Sequence, residues 1–71
     1  MILTEIAFTM IRRDTEGEET ERKTDHVYLK MRQETAESIK QGRTPLDVSL
    51  TMQHIAELQG YSFAGITDIT Y

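Results

Sequence analysis

The chain lacks cysteine and tryptophan, and it has only one proline. Without cysteine it cannot form disulfides or thiolate metal sites, and this composition fits a reducing compartment. No apolar run is long enough to cross a bilayer, and no basic stretch accompanies the apolar residues at the start, so neither an anchor nor a signal peptide is expected. We therefore predict a cytoplasmic protein with no membrane partner.

Positive charge is absent from the last part of the chain, because no Lys or Arg follows Arg43. The formal net charge is -4, and residues 12–25 hold ten of the twenty Asp, Glu, Lys and Arg residues. This excess of acid disfavours nonspecific attraction to polyanions. The charged residues are thus unevenly distributed along the chain, and they are densest in residues 12–25.

The first half of the chain has the pattern of a hairpin within one small domain spanning residues 1–71. Apolar residues recur at every second position over 2–12 and again over 24–32, which is the period of a strand with one buried face. The polar segment 14–21 between them contains a single glycine, so the turn is expected there.

The second half has the pattern of two helices and a strand. A short helix is predicted over about 34–41 and the main helix over about 45–59, with Thr44 as the N-cap and Pro45 at the first helical position. The residues after the main helix are rich in β-branched and aromatic side chains, which predicts a last strand over about 63–71.

These elements predict an α+β fold in the order β-β-α-α-β. The first strand is apolar on both faces, which is typical of a central strand, so we expect a three-stranded antiparallel sheet in the order 2-1-3. One main helix should pack on one face of that sheet, since this is the smallest two-layer arrangement.

The first strand also has apolar residues on the face away from the predicted helix. Leu3, Ala7 and Ile11 alternate with the core positions, and such an apolar patch with a polar rim is typical of a homodimer or partner interface. A merely solvated sheet face would show the same residues. The candidate partner-binding residues are Leu3, Ala7, Ile11, Arg13, Tyr28, Lys30 and Arg32.

The main helix has more apolar surface than one sheet face requires. Leu46 and Leu50 fall on a different arc from the residues that should cover the sheet, which are Val48, Met52, Ile55, Ala56 and, at the margin, Leu58. They either pack against Ala36 and Ile39 of the short helix or line a partner groove.

We find no pattern of catalytic, metal-binding or cofactor-binding residues. His26 and His54 lie on different elements and lack a third ligand, no serine has a neighbouring base, and the glycines are too dispersed to hold a phosphate. We predict that the chain is not an enzyme and binds no cofactor or metal.

The second strand also allows a nucleic-acid interpretation. His26, Tyr28, Lys30 and Arg32 alternate on one face, as in sheets that bind RNA or single-stranded DNA. Charged side chains that protect an edge strand from unwanted pairing give the same pattern. The acidic segment 14–21 could dock on a basic partner or serve only as a solvated hairpin tip.

The inferred build, a small acidic hairpin followed by helix and strand, resembles several small phage-encoded inhibitors of host machinery. The likeness lies in the topology and includes no residue motif. Our leading hypothesis is a small noncatalytic protein-binding module, a regulator or inhibitor of a larger protein. The alternatives are RNA or single-stranded DNA binding through the exposed sheet face, and a minor structural or accessory subunit.

Overall fold

The computed structural model describes residues 1–71 and contains three strands and two helices. The elements are β1 Ile2–Arg13, β2 Glu19–Met31, α1 Gln33–Lys40, α2 Leu46–Leu58 and β3 Ser62–Thr70. The strands form one antiparallel sheet in the order β2-β1-β3. The predicted α+β class, element order and sheet order are confirmed.

The core lies between the inner face of the sheet and the two helices. Ile6, Phe8 and Met10 of β1 are fully buried, because β1 has a strand on each side and helices above it. Both helices contribute to the core. Its ten residues are Ile6, Phe8, Met10, Met31, Ala36, Ile39, Val48, Met52, Ala56 and Ile69.

The strand β2 begins at Glu19, earlier than the position near 24 that the apolar pattern predicts. The pairing with β1 is regular from Ile2 opposite Met31 to Arg12 opposite Glu21. Backbone hydrogen bonds do not need apolar side chains, so the polar part of the segment continues the ladder. An ion pair between Arg12 and Glu21, 3.1 Å long, lies across it.

The turn of the hairpin is held by local hydrogen bonds. The Asp14 carboxylate accepts hydrogen bonds from the backbone N–H groups of Glu16 and Glu18 at 2.9 and 3.0 Å. Gly17 has a φ of 84°, which only glycine adopts without strain, and its carbonyl accepts a bond from Arg13 at 3.0 Å. The position of the acidic tip therefore follows from turn chemistry.

The strand β3 is irregular, with two register shifts in its pairing with β1. Thr67 and Ala64 are the residues without an opposite partner, and Gly65 between them has a φ of 137°. These bulges break the simple alternation of the strand. As a result Ile66 and Ile69 both pack on the core although they are three positions apart.

The predicted N-cap of α2 is wrong. Pro45 occupies the cap position with an extended ψ of 150°, and no side chain caps the helix. The carbonyl of Pro45 accepts the first helical bond, from the Ser49 N–H at 3.0 Å. Since Pro45 itself lies outside the helix, the Thr44 side chain is one position too early to reach the free N–H groups.

We expect Thr44→Ala to change the free energy of unfolding by less than about 0.5 kcal/mol, because no capping bond is lost. Gly42→Ala is the contrasting variant. Gly42 has a φ of 85°, so an alanine there should cost about 1–2 kcal/mol. Urea denaturation measures both, and a loss of about 1 kcal/mol in Thr44→Ala would show that Thr44 caps the helix after all.

Thr4 provides a second test, because its side chain is fully buried and its hydroxyl has no hydrogen-bond partner. Valine has almost the same shape without the polar group, so Thr4→Val should stabilise the fold by about 1 kcal/mol. Thr4→Ser is the control, which keeps the hydroxyl, loses the methyl group and should be destabilising. A Thr4→Val variant less stable than the wild type would mean that the hydroxyl is satisfied.

Candidate interaction surfaces

The outer face of the sheet, the face away from the helices, brings most of the predicted partner-binding residues together. Leu3 lies opposite Lys30 and Ala7 opposite His26 in the β1–β2 register. Leu3 and Tyr28 are exposed by 60% and 62%.

Two of the predicted basic residues lie at opposite ends of the molecule. Arg32 follows β2 and is exposed, close to Lys30 in the chain. Arg13 lies at the far end of β1 and is engaged with the turn through the Gly17 carbonyl. The predicted set therefore does not form one continuous site. Whether its members bind a partner stays a prediction.

The expected apolar patch does not extend to Ile11. This residue lies on the outer face of the sheet but is only 7% exposed. Its cross-strand neighbours are Arg22 on β2 and Ser62 on β3. A side chain on a central strand is shielded from both sides by such neighbours. The expectation of an exposed apolar patch running from Leu3 to Ile11 is wrong at this end.

We expect Ile11→Glu to destabilise the fold by more than about 3 kcal/mol, because it places a charge at a buried position whose cross-strand neighbour Arg22 already pairs with Glu19. The matched control is Leu3→Glu, on the same face of the same strand, which should change stability by less than about 0.5 kcal/mol. Circular dichroism during urea denaturation gives both values. A folded Ile11→Glu variant of normal stability would restore Ile11 to the exposed surface.

Acidic groups stand among the residues considered for nucleic-acid binding. The Glu5 carboxylate accepts a hydrogen bond from the Tyr28 hydroxyl at 3.3 Å and lies 3.2 Å from His26 Nδ1. Glu5, His26 and Asp68 also line a small depression of about 80 Å³. Two carboxylates at this place repel phosphate, and Tyr28 is already hydrogen-bonded.

A second surface is the solvent side of α2, where three leucines are exposed, including Leu58, for which the expected position at the margin of the sheet-covering arc is wrong. Leu46, Leu50 and Leu58 are 73%, 54% and 74% exposed, and they lie on one row because successive members are four and eight residues apart. We call these three residues the leucine row. Each leucine of the row is two positions along the chain from a core residue of α2. Two positions correspond to a rotation of about 200° around the helix axis, so each of these side chains points away from the sheet.

The alternative in which Leu46 and Leu50 pack against the short helix is wrong. Ala36 and Ile39 belong to the core cluster, whereas the two leucines do not. The residues that flank the leucine row are polar or acidic. The helix carries Asp47 and Glu57 and no Lys or Arg.

A cluster of charged side chains around Tyr61 connects the loop after α2 to the hairpin. The sequence patterns did not predict this cluster. The Arg12 guanidinium lies 4.2 Å from the centre of the Tyr61 ring, and Lys23 lies 5.9 Å from it. The Tyr61 hydroxyl donates to the Glu21 carboxylate, and this bond, with partial burial, raises the pKa of Tyr61. The alternation of Glu21 and Lys23 on the helix side of β2 is the sequence signal that could have indicated it.

A neighbouring contact joins β2 to the C-terminal end of α2. The backbone N–H of His26 donates to the Asp25 carboxylate at 2.8 Å, and the Gln59 side chain donates to it at 3.2 Å. These two bonds, in that order of effect, lower the pKa of Asp25. Stabilisation from this group is therefore present above its unfolded pKa, and it is lost as the pH falls through the lower folded value.

In the described chain, residues 1–71, no three His, Cys, Asp or Glu side chains are grouped so as to hold a metal ion. Neither helix has the length and apolar composition needed to cross a membrane. Comparisons with protein-family models, curated proteins and solved structures gave no match.

Proposed function

We propose that this protein is a noncatalytic protein-binding module that regulates or inhibits a larger protein by occupying part of its surface. The observation that carries the proposal is the leucine row, which is more than half exposed at each position. Burial of a leucine side chain contributes about 1.5–3 kcal/mol, so a partner that covers the row gains substantial free energy. A few such central side chains commonly dominate an interface.

The charges around the row favour a different protein over a second copy of this chain. In a two-fold antiparallel pairing of α2 with its copy, Leu46 would meet Leu58, and Asp47 would then meet Glu57. Like charges facing each other weaken such a pairing. The partner that fits best has an apolar pocket with Lys or Arg at its rim, because α2 supplies only acidic charge.

The remaining parts of the proposal rest on the sequence. The topological resemblance to small phage-encoded inhibitors supports an inhibitory role and a phage or prophage origin. The absence of cysteine supports action in the cytoplasm. RNA or single-stranded DNA binding and an accessory structural role are the alternative outcomes of the affinity-capture experiment.

The experiment compares the wild type with the double variant Leu46→Glu, Leu50→Glu in affinity capture from the cells that encode the protein. Each protein retained only by the wild type is then purified and titrated against both forms. We expect the double variant to bind at least about tenfold more weakly, since two buried leucines are lost. It should stay folded, because both positions are exposed and acidic residues suit the first turns of a helix.

Thr67→Glu is the control, because it adds the same charge at an exposed position of β3 outside both candidate surfaces, and it should bind the partner as the wild type does. Binding should also survive added salt. If no retained protein depends on the leucine row, the proposal fails. If the retained material is nuclease-sensitive, and its binding falls steeply with salt, nucleic-acid binding takes its place.

A further inference from the structure

An open groove of about 420 Å³ lies between the end of β2 and the first turns of α2. Leu29, Lys30, Met31 and Arg32 line one side, and the other lining residues are Met1, Thr35 of α1, and Asp47, Val48 and Thr51 of α2. Side chains alternate between the faces of a strand, so a depression on one face would be lined by every second residue. Leu29, Lys30 and Met31 come from both faces of β2, so the groove reaches the backbone edge at the C-terminal end of this strand, where the chain turns into α1.

This edge is free to accept another strand. β2 is the outermost strand on its side of the sheet, so half of its backbone N–H and C=O groups face away from β1 without a partner strand. Its pairing with β1 is regular as far as Arg12 and Glu21. The strand at the opposite edge, β3, has two register shifts in its pairing with β1. These irregularities make β3 a poorer edge for the addition of another strand.

The groove has an apolar floor, because the helices do not fully cover β2. The main helix–sheet contacts of α1 and α2 are with β3. Val27 and Leu29 on the inner side of β2 are therefore only partly buried, at the margin of the core. A strand added along this edge would place every second side chain next to Leu29 and the nearby wall of α2.

The side chains on the outer face of β2 indicate which charges a strand bound at this edge would carry on the same face. Those from Arg22 onward are basic or neutral, and none is acidic: Arg22, Thr24, His26, Tyr28 and Lys30. Arg32 follows directly after them. Side chains directly opposite on paired strands attract when their charges differ and repel when they are alike. A second copy of β2 would therefore bring cations against cations.

We propose that the edge of β2 at residues 27–31 binds an extended segment of another protein by strand addition, and that acidic residues alternate with apolar ones in this segment. Its apolar side chains fill the groove between β2 and α2, and its acidic side chains lie opposite Lys30 and near Arg32, which directly follows the strand. Backbone hydrogen bonds supply affinity, and the alternating side chains supply specificity. The site is separate from the leucine row and does not depend on the function proposed for that row.

The test uses the full chain and a capped peptide of about eight residues, a common strand length, in which glutamate alternates with valine. Amide chemical shifts in NMR titrations should change at residues 27–32. The double variant Lys30→Glu, Arg32→Glu should bind this peptide about tenfold more weakly and should prefer a peptide with lysine in place of glutamate. Such a reversal of preference requires direct charge pairing at the edge.

Two control variants show whether binding is specific to the edge of β2. Arg43→Glu removes the same kind of charge from the loop before α2 and should bind the glutamate peptide as the wild type does. The leucine-row variant Leu50→Glu should also bind it normally, so failure here and failure of the proposed function can be told apart. The inference is overturned if the shifts fall outside residues 27–32, if the lysine peptide binds the wild type equally well, or if neither peptide binds at millimolar concentration.

Discussion

The fold depends on the central position of β1. This strand has hydrogen-bonded neighbours on both sides, and its inner residues Ile6, Phe8 and Met10 are fully buried under the helices. In a domain of this size a single strand must supply the middle of the core, since there is too little chain for a second layer of apolar strands. The positions of the remaining elements follow from covering these three side chains.

The same constraint determines which surfaces are left open. The main helix–sheet contacts are with β3, and the edge of β2 on the other side of the sheet stays accessible beside a groove. On α2, the arc of Val48, Met52 and Ala56 is fully used by the core. The leucines on the opposite side have no role in that core, so core packing does not account for them. In the proposed function a partner covers these leucines, and the acidic charge around them makes the choice of partner specific.

The polar residues near the hairpin have a structural role as well as a solubilising one. Arg12 connects β1 to Glu21 through an ion pair and to Tyr61 through its ring, and Asp25 accepts a hydrogen bond from Gln59. Exposed contacts of this kind contribute little individually. Together they join the long hairpin to the loop after α2, beyond the end of the apolar core.

The sequence by itself determined the class and order of the fold, because hydrophobic period is a local property. The period of two in β1, apolar on both faces, was sufficient to place this strand at the centre. The glycine and proline positions placed the ends of α2 to within one residue, although Pro45 proved to be the cap position in place of Thr44. The start of β2 at Glu19 was not predicted, because residues 19–23 are polar or charged. Backbone hydrogen bonds hold this part of the strand, and they produce no hydrophobic pattern in the sequence.

Only the tertiary structure decided which surfaces are exposed. Ile11 and Leu3 are equivalent in the pattern of β1, yet one is buried and the other exposed, because burial depends on neighbours from distant parts of the chain. The sequence allowed Leu46 and Leu50 to pack against α1. The orientation of α2 in the fold leaves both side chains exposed to solvent. The groove beside β2 likewise exists because of where α2 crosses the sheet, and no local stretch of sequence encodes that crossing.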